Sequence, residues 1–211
     1  MKLKYFCVFT IALLFCCFTL GCAKKNDFNE NVVMTVNYME ISVEQAKFYA
    51  YNKQANYEVY YLVSGSEIDW DSPYDEANTD ITMEALVKKE VLEQMKETVL
   101  VSQYAKEQGI KLDDEDLNDI DALVNEFVSD SKDTLLDKTG KDKDVLNTVF
   151  TRQKYVDKLY EKMGIIENED AKDKLYKELL AKAEIKVNDE LWNKISFDEA
   201  IYTSDDVEVM E

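Results

Sequence analysis

Only five glycines and one proline punctuate 211 residues. Many-stranded sandwiches and barrels need those residues at their turns, so a chain this poor in them, and rich in Lys, Glu, Leu, Ala and Asp, is expected to be mostly helical. Apolar residues at 46% separate it from disordered chains of low hydrophobicity, even with 33% of residues charged. The length suits one elaborate core or two small ones. Histidine is absent, which excludes Ser-His-Asp and Cys-His nucleophilic sites, histidine-ligated zinc and imidazole proton shuttles.

The amino-terminal segment carries its own signal. Lys2 and Lys4 precede an apolar run from Tyr5 to Leu20, followed by Gly21 and Cys22. This is the pattern of a secretory signal peptide, and the run falls short of the ~20 residues that span a bilayer as a helix. Phe18-Thr19-Leu20-Gly21-Cys22 resembles the lipobox of bacterial lipoproteins, with Thr19 standing where that pattern usually has Leu. The resemblance implies a diacylated Cys22 as the first residue of the mature chain. Cys7, Cys16 and Cys17 all fall inside the segment that would be removed. One remaining cysteine cannot form an internal disulfide, and lipidation gives that thiol a purpose. The alternatives are a plain signal peptide or an uncleaved anchor. The expected organisation is a signal peptide over 1–21, a tether over 22–31, a folded domain over 32–195 and a fraying acidic tail over 196–211. The expected location is the extracytoplasmic face of the cell membrane, held by the lipid.

Loss of Lys2 and Lys4 leaves 23 basic against 44 acidic side chains, a formal charge of −21. Such a surface repels phosphate backbones, and no basic cluster exceeds Lys88-Lys89 or the stretch Lys141 to Lys143. Nucleic acid is therefore not an expected partner.

Periodicity divides the mature chain. Residues 32–36 and 39–41 read as two short strands around Asn37-Tyr38. Ser42, three residues before Gln45, starts a helix reaching about Val63. Phe48, Tyr51, Ala55, Val59 and Leu62 form one stripe of that helix, and Ala46, Ala50, Tyr57 and Tyr61 form another. Six aromatics lie between residues 48 and 61. They read either as an aromatic-rich core helix or as an outward face that binds other chains. Residues 64–80, acidic and without a base, read as a long surface loop bearing Trp70 and Tyr74. Helical patterns follow over 82–108, from Asp113 through Val128, from Gly140 to Gly164, and from Asn168 to about Ala183. In the second of these the apolar positions are Leu117, Ile120, Val124, Phe127 and Val128. Glu184 to Val187 alternates like a strand, for which the segment from Val32 to Ile41 is the available partner.

Motifs for covalent chemistry are missing. Asp114, Asp116 and Asn118 match the first ligand positions of a calcium loop, but Asp119 replaces the turn glycine and Asn125 the bidentate glutamate. Acids at a helix amino terminus account for the run through the macrodipole. The sequence contains no Gly-rich phosphate loop or nucleophile elbow, and neither a cofactor nor a metal is expected.

From about Val36 to Met163 the order of features resembles the amino-terminal chaperone region of the SurA and PrsA extracytoplasmic foldases. The resemblance rests on Val36 to Ser42 entering the first helix, on Val91-Leu92-Glu93-Gln94-Met95, and on Ala105-Lys106-Glu107-Gln108-Gly109-Ile110 before the acidic cap. Leu175 to Trp192 resembles the segment that returns to complete that region. In full-length members a parvulin isomerase domain lies between the two pieces. Here about 20 residues separate Leu159 from Leu179, and parvulin-type histidines are missing. The resemblance implies a membrane-anchored chaperone that binds unfolded or nascent secreted proteins without catalysis. Tyr49, Tyr57, Tyr60, Tyr61 and Trp70 are its expected contact residues. The alternatives are a peptidyl-prolyl isomerase by family descent, and an adhesin or assembly lipoprotein that binds one folded partner.

Overall fold

A computed structural model describes residues 28–75 and 78–207. The expected lipidation site, Cys22, lies outside the described residues. Strands β1 (Val32–Val36) and β2 (Met39–Ser42) form an antiparallel hairpin. Strand β5 (Ile185–Val187) adds to the other side of β1, also antiparallel, with Met34 opposite Val187 and Val36 opposite Ile185. The order β2-β1-β5 makes β1 central, and Val33, Met34 and Val36 are fully buried on it. The expected pairing of the two distant segments is therefore present.

Asn37 joins three elements at the turn. Its backbone takes the left-handed conformation at φ 55°, which an asparagine tolerates better than most residues. Its backbone N–H donates to the Glu184 carbonyl at 2.7 Å, and its side-chain oxygen accepts from the Glu184 N–H at 3.0 Å. Its side-chain amide donates to Gln103 at 2.9 Å, and Gln103 in turn donates to the Val36 carbonyl. One short polar side chain thus fixes the hairpin turn, β5 and a helix together.

Helix α1 spans Val43–Val63, and its first turn is capped by the Ser42 hydroxyl accepting from the Gln45 N–H. Residues 64–80 are not one open loop. They contain a second antiparallel hairpin, β3 (Pro73–Asp75) with β4 (Asn78–Thr82), and Thr82 caps α2 (Met83–Glu107). Helix α3 (Asp114–Asp130) opens with a reciprocal capping box between Asp113 and Asp116. A short helix that periodicity did not reveal, α4 (Asp133–Thr139), precedes α5 (Lys143–Met163), which stops at Gly164 in the left-handed conformation. Helix α6 (Glu169–Leu180) is capped by Asn168, and two single-turn helices follow, α7 (Asp189–Trp192) and α8 (Ser204–Val207). The fold is mainly helical with a small antiparallel sheet joining its two ends. Among the described residues no helix is long and apolar enough to cross a membrane.

Helix α2 is the axis of the packing, against α1, α5 and α6. Its apolar side buries Val87, Val91, Met95 and Val99. Glu90, Glu93 and Glu97, spaced three and four residues apart, share another face of it. Each accepts a tyrosine hydroxyl from a different helix: Tyr57 of α1 at 3.0 Å, Tyr176 of α6 at 2.8 Å and Tyr160 of α5 at 3.1 Å. Burial first, and then the neighbouring glutamates, push the Tyr160 and Tyr176 hydroxyls upward, so they remain protonated donors.

The acidic run at the start of α3 serves the fold. Asp116 is buried and accepts from Lys158 and from the Asp113 N–H, with Lys154 at 3.5 Å. The Lys158 hydrogen bond and the Asp113 N–H hold its carboxyl at about 2. The inward stripe of α3 consequently runs through Asp116, Ile120 and Val124, and Leu117 is exposed instead of buried.

Both ends of the expected domain move. The tether is shorter than expected, because Asn29 donates to Glu40 and its carbonyl accepts from the Val32 N–H, while the Asn31 carbonyl accepts from Val43. Up to residue 207 the acidic tail packs onto the domain instead of fraying after residue 195. Ile195, Phe197 and Ile201 are among the most deeply buried side chains. Glu58 of α1, itself buried, receives the backbone N–H groups of Ile201 and Tyr202 at 2.9 and 2.8 Å. Charge count misleads there because Asp198, Glu199 and Asp205 face outward, while apolar residues at 195, 197 and 201 point into the core.

Candidate functional site

Helix α1 carries its aromatics in two groups with different surroundings. Phe48, Tyr49 and Tyr51 are buried. Phe48 meets Phe127 of α3 at 5.2 Å and Phe150 of α5 at 5.7 Å between ring centres. From residue 59 onward no α1 side chain is fully buried. Tyr60 is 69% exposed and Val63 70% exposed, and Tyr60 packs edge to face on Tyr61 at 5.8 Å.

Tyr57 stands at the border. Its hydroxyl is pushed up to about 12 by partial burial and by donation to Glu90, with Tyr61 and Tyr74 close enough to add to the effect. Its ring lies 6.3 Å from that of Trp70, and Trp70 lies 4.8 Å from Phe197 in an edge-to-face pair. Tyr74, on β3, is 53% exposed. The last turns of α1, the segment before β3 and strand β3 itself thus share one partly solvated aromatic surface, built from Tyr57, Tyr60, Tyr61, Trp70 and Tyr74.

Four of the five expected contact residues meet in this surface. The fifth does not: Tyr49 is a core residue, 6% exposed. It lines a separate cleft of about 250 Å³ between α1, α2 and α5, together with Phe48 and Phe150, the amides of Asn52, Asn56, Gln94 and Gln153, and Lys53. Burial pushes the Tyr49 hydroxyl up, opposed by the nearby Arg152 guanidinium. Arg152 is buried too, and donates to Gln45 at 3.0 Å and to the Glu40 carbonyl at 3.3 Å. These are packing roles.

Sequence reasoning missed Phe197 and Tyr202, which join Trp70 on the wall of a second cleft beside the aromatic surface. The apolar spacing of Ile195, Phe197, Ile201 and Tyr202 was the available signal. Among the described residues no group of three or more Cys, Asp or Glu side chains is arranged to hold a metal ion. The arrangement offers a binding surface with rings of mixed exposure, each carrying an apolar body and, for tyrosine, a polar tip. Comparison with known protein families, with characterised proteins and with solved structures gives no match.

Proposed function

We propose that this chain is a membrane-tethered extracytoplasmic chaperone of the SurA and PrsA kind without an isomerase module. It holds unfolded or nascent secreted chains against the aromatic end of α1 and performs no covalent chemistry. The observation that carries the reading is the exposure of Tyr60 and Val63 at the end of α1, close to Tyr61 and Tyr74, where the other described aromatics, Tyr38 in the β1-β2 turn apart, are partly or fully buried. Exposed aromatic surface of this kind binds apolar side chains at roughly 25 cal/mol per Å² buried, and weak contacts suit a partner that must be released. The return of Ile185–Val187 to the edge of β1 supports the family resemblance, which expects a carboxy-terminal segment to complete the domain. Cys22 provides the lipid anchor in this reading.

The test uses the full chain in lipid nanodiscs, with two unrelated reduced proteins as clients. The wild type should suppress light scattering by both, and a Tyr60→Ser/Tyr61→Ser variant with an unchanged melting temperature should suppress it several-fold less. Equal suppression by the two forms, or protection of one folded partner alone, contradicts the reading.

A further inference from the structure

The cleft beside the aromatic surface has a charge pattern that the aromatic surface lacks. It encloses about 230 Å³ between the last turns of α1, the segment before β3 and the carboxy-terminal stretch. Trp70, Phe197 and Tyr202 supply its rings, and Glu58, Glu67 and Asp198 are its ionisable lining groups, with no lysine or arginine among them. Glu58 is 3% exposed. Its two oxygens accept from the Gln54 amide at 2.7 Å and from the Ile201 and Tyr202 N–H groups, and among the described residues no cationic side chain pairs with it. Neutral donors fix this carboxylate in place without cancelling its charge, and a carboxylate away from water gains more from an approaching cation than a solvated one does. Lys132 comes nearest in kind, 5.3 Å from the centre of the Tyr202 ring, but it does not line the cleft and is paired with Asp206 at 2.6 Å. That contact sets an ammonium group against the Tyr202 ring.

Resting on the chaperone reading above, we infer that this cleft receives a lysine or arginine side chain of the polypeptide held on the neighbouring tyrosines. The rings attract the cation through their faces, and the three carboxylates supply the opposite charge. The protein then prefers segments in which a basic residue follows or precedes an aromatic or aliphatic one.

The experiment measures fluorescence anisotropy of labelled unstructured peptides with the full chain in nanodiscs. The peptides share one aromatic-containing sequence and differ at a single position, which is Lys, Arg, Gln or Glu. The Lys and Arg peptides should bind roughly ten-fold more tightly than the Gln peptide. A Glu67→Gln/Asp198→Asn variant should lose most of that preference, and an Asp170→Asn/Glu178→Gln variant, with the same change in net charge on α6, should keep it. Equal loss in both variants makes the preference a property of net charge and overturns the inference. Equal binding of all four peptides overturns it while leaving the chaperone reading intact, and absence of binding by every peptide removes that reading and the inference with it.

Discussion

The inner and outer stretches of α1 contain three aromatics each, yet Phe48, Tyr49 and Tyr51 lie inside while Tyr57, Tyr60 and Tyr61 do not. Composition does not distinguish them. Over the inner stretch, α3 and α5 supply Phe127 and Phe150 against Phe48, and the carboxy-terminal stretch supplies Phe197 at 6.4 Å from Tyr51. Past Glu58 the neighbours thin to Trp70, Tyr74 and the stretch around Tyr202, which leave an open cleft beside Leu62. An aromatic side chain is core or contact surface according to what reaches it, and the elements that reach α1 come from far along the chain.

The difference can be broken most severely from the carboxy-terminal side. Deleting residues 184–211 removes β5, Phe197, Ile201 and the N–H donors of Glu58 together. It should lower Tm by more than about 10 °C in calorimetry, several buried side chains being lost at once. An unchanged Tm would mean that the stretch does not hold the inner part of α1. Within the inner stretch, Phe48→Ala should destabilise by about 3–5 kcal/mol in urea titration, because Phe127 and Phe150 cannot collapse into the space. A loss below about 1 kcal/mol would place Phe48 with the outer group.

Acid should act on the inner packing through α3. The Asp116 carboxyl is held at about 2 against an ordinary value of 3.8, so its contribution to stability is present above the ordinary value and is lost as pH falls from there toward 2. Tm should therefore decline over that window, and Asp116→Asn should flatten that part of the profile. The smallest effect belongs to the outer stretch: Tyr60→Ser should change stability by no more than about 0.5 kcal/mol. A larger loss would show that Tyr60 packs in solution and is not a contact residue.

Local signals were legible where a side chain caps its own helix. Ser42, Asp113 and Asn168 each start the helix that their spacing announces, and the alternation of Glu184 to Val187 leads to its pairing with β1. What the sequence hid depends on distant contacts. Nothing near Tyr49 announces that α2 and α5 close around it, and the acids after Lys194 mask the apolar spacing that buries Phe197 and Ile201. The tyrosine hydroxyls on Glu90, Glu93 and Glu97 were hidden for the same reason, since each pair joins two helices at least 33 residues apart. Three of the five expected contact residues share one surface because they are neighbours on the last turns of α1, and Trp70 joins them through its ring contact with Tyr57. The second cleft was not found, because its rings come from residue 70 and from beyond residue 196.

The most direct test of the division within α1 places a photoreactive benzoylphenylalanine at one position at a time in the full chain and irradiates it with a reduced, unfolded client. At position 60 it should give client cross-links, and at position 170 on α6, also exposed, it should give few. Cross-linking of equal yield at the two positions, or none at position 60, would contradict the account.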